Sequence, residues 1–188
     1  MAKTLIVAAT EGEIEDLRLT LADISECGFL VSGVGMVNTT FSLTKYLVGS
    51  EFPKLIIIVG IGGAFNPDIE IGQVVQVNRD RFSEFGAENN DSFLKAEEMG
   101  LMKKEDIEFE STLKLPELIQ VNGITVNTVH GEEQSISQAK QLYNADVESM
   151  EGAAVAFVAQ QFGCDWIQIR SISNYVEPRN KDNWNVPL

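Results

Sequence analysis

Glu148 and Glu151 flank Met150 immediately before a run of small and apolar residues, Ala153 to Ala159. Nearly every position of that run is apolar, so it reads as a buried helix, with the two carboxylates at its N-terminal end. Acids that meet a wholly apolar helix suit a site that binds something polar, such as sugar hydroxyls. The same spacing also fits capping carboxylates with a core methionine. Glu13 follows the apolar run Leu5 to Ala9 and a Thr10-Glu11-Gly12-Glu13 capping pattern. It is either a reciprocal cap or an acid at a strand's C-terminal edge, where α/β sheets bind ligands. Arg170 precedes a Ser/Asn-rich stretch, Ser171 to Asn174, which offers hydrogen-bond donors to a polar ligand or forms an ordinary polar turn.

These residues need a scaffold, and the periodicity supplies one. Thr4 to Ala9 and Leu55 to Val59 are unalternating apolar runs of the buried-strand kind. Gly28 to Ser32, Gly72 to Val77, Gly123 to Val129 and Trp166 to Ile172 read as further strands. Helices are expected from Ile14 through Ile24, over Asn38 to Val48, over Ser135 to Tyr143, and from Ala153 to a stop at Gly163. Glycine-rich loops are expected at Ser32 to Gly35 and at Gly60 to Pro67. Strands alternating with helices argue an α/β domain with a largely parallel centre. Arg79, Asp80, Arg81, Glu84 and Glu88 read as solvated, and the acidic stretch Glu97 to Glu110 as surface.

Composition narrows the function. With 14 Lys and Arg against 28 Asp and Glu, the formal charge of −14 disfavours nucleic acid and anionic membranes as partners. Cys27, Cys164 and the lone His130 show no metal-ligand spacing, and no metal or cofactor is implied. The N-terminal apolar run is too short for a signal peptide, and no run approaches a membrane span. A reduced, cytoplasmic setting and a single domain over 1–188 are the expectations.

Taken together, the segments resemble the purine nucleoside phosphorylase and nucleosidase superfamily. The likeness rests on Ala8 to Glu13, Ser32-Gly33-Val34-Gly35, Gly60 to Pro67, Met150-Glu151 and Arg170 to Asn174, in that order. Within it, Glu148 to Ala154 and Ser173 to Arg179, continuing to Trp184, look like the futalosine hydrolase branch. The resemblance implies a three-layer αβα sandwich around a central mixed, largely parallel sheet. It implies hydrolysis of a purine nucleoside, best futalosine, to hypoxanthine and dehypoxanthine futalosine. Glu13 would be the general base for water, Glu151 would accept from the ribose hydroxyls, and Met150 would pack on the sugar. Arg170 would hold the water or orient Glu151, and Glu148 would support them. A homodimer or larger homo-oligomer is also implied.

Three departures shape the expectation. Asn174 stands where nucleosidases of adenine nucleosides carry aspartate. An amide both donates and accepts, which suits a 6-oxopurine. Ile61 stands where many relatives have a serine that helps phosphorylases hold phosphate, which favours water as nucleophile. The family's C-terminal helix would begin at about Asn180 to Trp184, and the chain ends at Leu188. A methylthioadenosine/adenosylhomocysteine nucleosidase, a phosphorolytic enzyme and a non-catalytic nucleoside-binding homologue are the alternatives.

Overall fold

The structure is a computed structural model, and residues 3–49, 52–90 and 92–179 are described. Asn180 to Trp184, where the start of a C-terminal helix is expected, lies outside them.

Parallel strands β1 (Thr4–Ala8), β2 (Cys27–Val31), β3 (Leu55–Ala64) and β10 (Asp165–Tyr175) form the centre. The apolar runs predicted as strands from Thr4 and Leu55 are both here. Strands β4 (Val74–Arg81), β8 (Ile119–Thr125) and β9 (Val147–Ser149) pair parallel with one another. β10 meets β4 and β3 meets β9 antiparallel, so the mixed sheet curls until β3, β10, β4, β8 and β9 form a closed circuit. A hairpin of β5 (Gly86–Asn89) and β6 (Ser92–Lys95) stands apart, and β7 (Glu108–Glu110) adds to β4.

Helices cover both faces of the centre. α2 (Met36–Val48) and α4 (Gly152–Phe162) pack with Leu5, Val7, Ile56, Ile58 and Trp166 in the main core. On the other face, Ile14, Leu17 and Leu21 around α1 (Glu15–Thr20) cover Ile6, Ala8 and Ile57. α3 (Glu133–Tyr143) packs through Ile136 and Ala139 against Phe65, Ile124 and Val126. Seven residues of α4 are buried, Gly152 to Ala156 with Val158 and Ala159, as its composition predicts. Gly163 ends it in the left-handed conformation, also as predicted.

Several expectations change. The glycine-rich stretch from Gly60 is not a loop: β3 runs on to Ala64, because β10 and β9 supply pairing partners for its glycines. Helix α1 stops at Thr20, and Ile24 is left exposed in the turns beyond it. β8 begins at Ile119 and ends at Thr125, earlier than its alternation suggests. Asp80 and Arg81 are buried rather than solvated. Arg81 pairs with Glu97 at 2.6 Å and Glu108 at 3.2 Å, which draws part of the acidic stretch inward.

Candidate active site

The C-terminal ends of parallel strands β1, β3 and β10 lie side by side, the position where open α/β sheets hold ligands. Glu13 sits in the turn just after β1, at the strand's C-terminal edge, and also makes the reciprocal cap. One carboxylate oxygen accepts from the Thr10 N–H at 2.9 Å and the Thr10 hydroxyl at 3.0 Å. The other accepts from the Ile61 N–H at 3.2 Å.

Ile61 also receives the arginine. Arg170 Nη1 donates to the Ile61 carbonyl at 3.3 Å and lies 3.7 Å from Glu151 Oε2. The backbone of a single residue of β3 thus holds an acid through its N–H and a cation through its carbonyl. Gly60 makes this possible: a Cβ there would fall 2.7 Å from both Arg170 Nη1 and Glu13 Oε1. Ile61 itself is exposed, so the position contributes backbone rather than a side-chain hydroxyl.

Arg170 belongs to strand β10, within the run from Trp166 to Ile172 that reads as strand, and is 1 % exposed. Its Nε and Nη2 are buried without a hydrogen-bond partner among the described residues. Burying unpaired donors costs on the order of 1–3 kcal/mol, so such groups are the ones a polar ligand satisfies. Glu151 caps the start of α4 and is 6 % exposed. Its other oxygen accepts from the Gly35 N–H at 3.0 Å. The Ser32-Gly35 stretch is fixed for that contact, because the Ser32 hydroxyl donates to the Ala8 carbonyl at 3.2 Å.

Glu148 is not at the helix N-terminus. It lies on β9 opposite Gly63, because the strand runs on to Ser149 and α4 starts only at Gly152. Both its oxygens go to the lone histidine: Oε1 accepts from the His130 N–H at 3.1 Å, and Oε2 lies 2.5 Å from His130 Nδ1. Asn174 lies across Gly63 on the other side. It is on strand β10, not in a loop, and a bulge between Ile172 and Asn174 shifts the register there. A Cβ at Gly63 would fall 3.3 Å from Asn174 Nδ2 and 3.5 Å from Glu148 Cγ. The exposed Asn174 amide donates to the Tyr175 carbonyl at 2.9 Å and accepts from the Ser173 hydroxyl at 2.8 Å. Met150 is half-buried and packs with Phe65, Val126 and Val176, the core role among its two readings.

Sequence reasoning missed His130 and Asp80. Asp80 is wholly buried beneath α4, where it accepts from the Thr125 hydroxyl at 3.1 Å. That hydroxyl accepts in turn from the Ala153 N–H at 2.7 Å, in the first turn after Glu151. Burial raises the Asp80 carboxyl to about 6, against the lowering influence of Arg170 and of hydrogen bonds from Thr125 and Gln168. Neither residue has a distinctive spacing. Only the pairing of β4 with β8 and of β8 with β9 brings each to its partner.

A recess of about 240 Å³ opens beside Glu13, lined by Gly60, Ile61, Val74, Ile169 and Ser171. A larger apolar groove runs along α2. No group of three or more His, Cys, Asp or Glu able to hold a metal occurs among the described residues. No helix among them is long and apolar enough to cross a membrane.

Known proteins share this arrangement of strands. The chain is 29 % identical to a futalosine hydrolase of Acidothermus cellulolyticus over 84 % of its own length and 68 % of that protein's. It is 26 % identical to an aminodeoxyfutalosine nucleosidase of Campylobacter jejuni, over 93 % and 86 %. The fold matches a 5′-methylthioadenosine/S-adenosylhomocysteine nucleosidase of Helicobacter pylori, solved with butyl-thio-DADMe-Immucillin-A. The TM-score is 0.79, at 18 % identity, over 94 % of this chain and 87 % of that one. The family model described as the phosphorylase superfamily matches residues 26–187, so the chain belongs to that superfamily.

Proposed function

We propose that this protein hydrolyses the N-glycosidic bond of a purine nucleoside, with futalosine as the best-fitting substrate. Futalosine would give hypoxanthine and dehypoxanthine futalosine. The observation that carries the reading is the Ile61 backbone. Its N–H donates to Glu13 and its carbonyl accepts from Arg170, which lies 3.7 Å from Glu151. A water base and a sugar-binding acid are thereby linked through Ile61 and Arg170.

Glycoside cleavage passes through an oxocarbenium-like sugar. Glu13 takes a proton from the attacking water, and Glu151 accepts hydrogen bonds from the ribose hydroxyls. Met150 borders the sugar, and Arg170 orients Glu151 and the water. Glu148 supports these groups, and Asn174 presents its amide to the base. The scheme needs neither metal nor cofactor. The exposed apolar Ile61 offers no hydroxyl to a phosphate, and Arg18 is paired with Glu11, which together favour water over phosphate as nucleophile.

The likeness to the Acidothermus protein supports futalosine. Asn174 supports it too, because an amide can donate to O6 and accept from N1–H of a 6-oxopurine. The fold match to the Helicobacter nucleosidase keeps methylthioadenosine or adenosylhomocysteine as a second reading. In this proposal residues 1–188 act as one domain, in the cytoplasm, as a homodimer or larger homo-oligomer. The partner is a small nucleoside rather than a nucleic acid or a membrane.

Glu13→Gln tests the roles. Turnover should fall about 10²–10⁴-fold while calorimetry still shows nucleoside binding. Product formation at the wild-type rate would refute the role of Glu13.

A further inference from the structure

We propose that His130, held by Glu148, delivers the proton that the purine takes as it leaves. The inference rests on the hydrolase reading above, which supplies a base for water but no acid for the leaving group. Asn174 can donate a hydrogen bond but cannot give up a proton, and arginine does not deprotonate in proteins. Glu151 is bound to the Gly35 N–H and faces Arg170. Asp80 is wholly buried beneath α4 and out of reach of a ligand.

His130 is the only histidine in the chain. Glu148 grips it twice, at the backbone N–H and at Nδ1, with a 2.5 Å contact to the ring. The ring also stands edge-on to Phe65, with centroids 5.8 Å apart. Its orientation is therefore set from two sides. Nε2 has no hydrogen-bond partner among the described residues. A carboxylate on Nδ1 steadies the charge of an imidazolium whose other nitrogen holds a transferable proton.

Location joins the pair to the base-binding end of the site. Glu148 and Asn174 both register with Gly63, on opposite edges of β3. The chain beyond β10 then crosses back to the histidine loop, where the Arg179 N–H donates to the Gly131 carbonyl at 3.1 Å. Asn174 and the Glu148–His130 pair thus flank Gly63, and in this proposal the base lies between them.

The step balances. The Nε2–H bond of the imidazolium breaks as an N7–H bond forms on the purine. The C1′–N9 bond breaks with its electron pair kept by the base. Water bonds to C1′ and passes one proton to Glu13. Exchange with solvent then returns the proton from Glu13 and reprotonates His130.

The test uses two variants of the full chain and one purine nucleoside substrate. His130→Ala should lower kcat about 10²–10⁴-fold with little change in KM, and added imidazole should restore part of the loss. His130→Gln keeps a donor for Glu148 and fills the space, so it should show the same loss without imidazole rescue. Wild-type kcat in His130→Gln, or a loss in His130→Ala that imidazole does not touch, overturns the proton-donor role. Wild-type protein that releases no base from any purine nucleoside defeats the hydrolase reading, and this inference with it. Normal turnover by wild type and both variants defeats this inference alone.

Discussion

At the scale of single residues, Asp80 shows how a group away from the chemistry reports on the site. Burial raises its carboxyl from 3.8 to about 6, with Arg170 pulling the other way. Between those values the folded chain holds a proton that the unfolded chain releases. The stabilisation is complete below about pH 4 and is lost as pH rises through about 6. Asp80→Asn cannot ionise and keeps an oxygen for the Thr125 hydroxyl. Urea denaturation should therefore show the variant gaining on wild type from pH 4 to 7, by about 3 kcal/mol. A stability difference that stays flat across that range would contradict a buried, ionising Asp80. Glu13 illustrates a different lesson. Its capping and strand-edge readings look exclusive in the sequence, yet one oxygen caps Thr10 while the other reaches the Ile61 N–H at the end of the sheet.

At the scale of elements, the legible parts were those whose periodicity is strong. The apolar runs of β1 and β3, the small-residue helix α4 and its Gly163 stop all read directly from composition. The end of β3 did not, because glycines signal loops unless a partner strand is known. Here β10 and β9 pair with Gly60 to Ala64 and turn that stretch into strand. Asn174 was assigned to a loop for the same reason, and a bulge in β10 is invisible before its neighbour is placed. The candidate set of Glu13, Glu151 and Arg170 was legible as residues. Their joining through the Ile61 backbone was not, because it depends on main-chain groups that carry no sequence signal. Asp80 hid in a polar stretch that only burial distinguishes. Gly152 tests the packing between β4 and α4. A Cβ there would fall 2.1 Å from Asp80 Oδ2 and 2.3 Å from Gln168 Oε1. Gly152→Ala should destabilise the fold by about 1–3 kcal/mol in chemical denaturation, despite alanine's better helix propensity. A more stable variant would contradict the close contact.

At the scale of the whole molecule, the outer face of α2 carries exposed apolar side chains. Val37, Phe41 and Val48 are 80 %, 68 % and 73 % exposed on it. They border a groove of about 980 Å³ that also includes Phe82, Phe85 and Phe157. A patch of this kind marks an interaction surface more often than free solvent contact. The same helix begins beside Gly35, whose N–H holds Glu151, so association there would also brace the site. Equilibrium sedimentation should give a dimer or larger species, and Phe41→Lys should shift it toward monomer. A monomer for wild type at micromolar concentration would count against association through α2.

The central claim is hydrolytic release of a 6-oxopurine, and base release by the purified protein tests it most directly. Futalosine, aminodeoxyfutalosine, methylthioadenosine and inosine would each be supplied with and without phosphate. The geometry of Glu13, Glu151 and Asn174 predicts hypoxanthine from futalosine at a rate indifferent to phosphate. Adenine from methylthioadenosine with futalosine untouched, or release that requires phosphate, would contradict it.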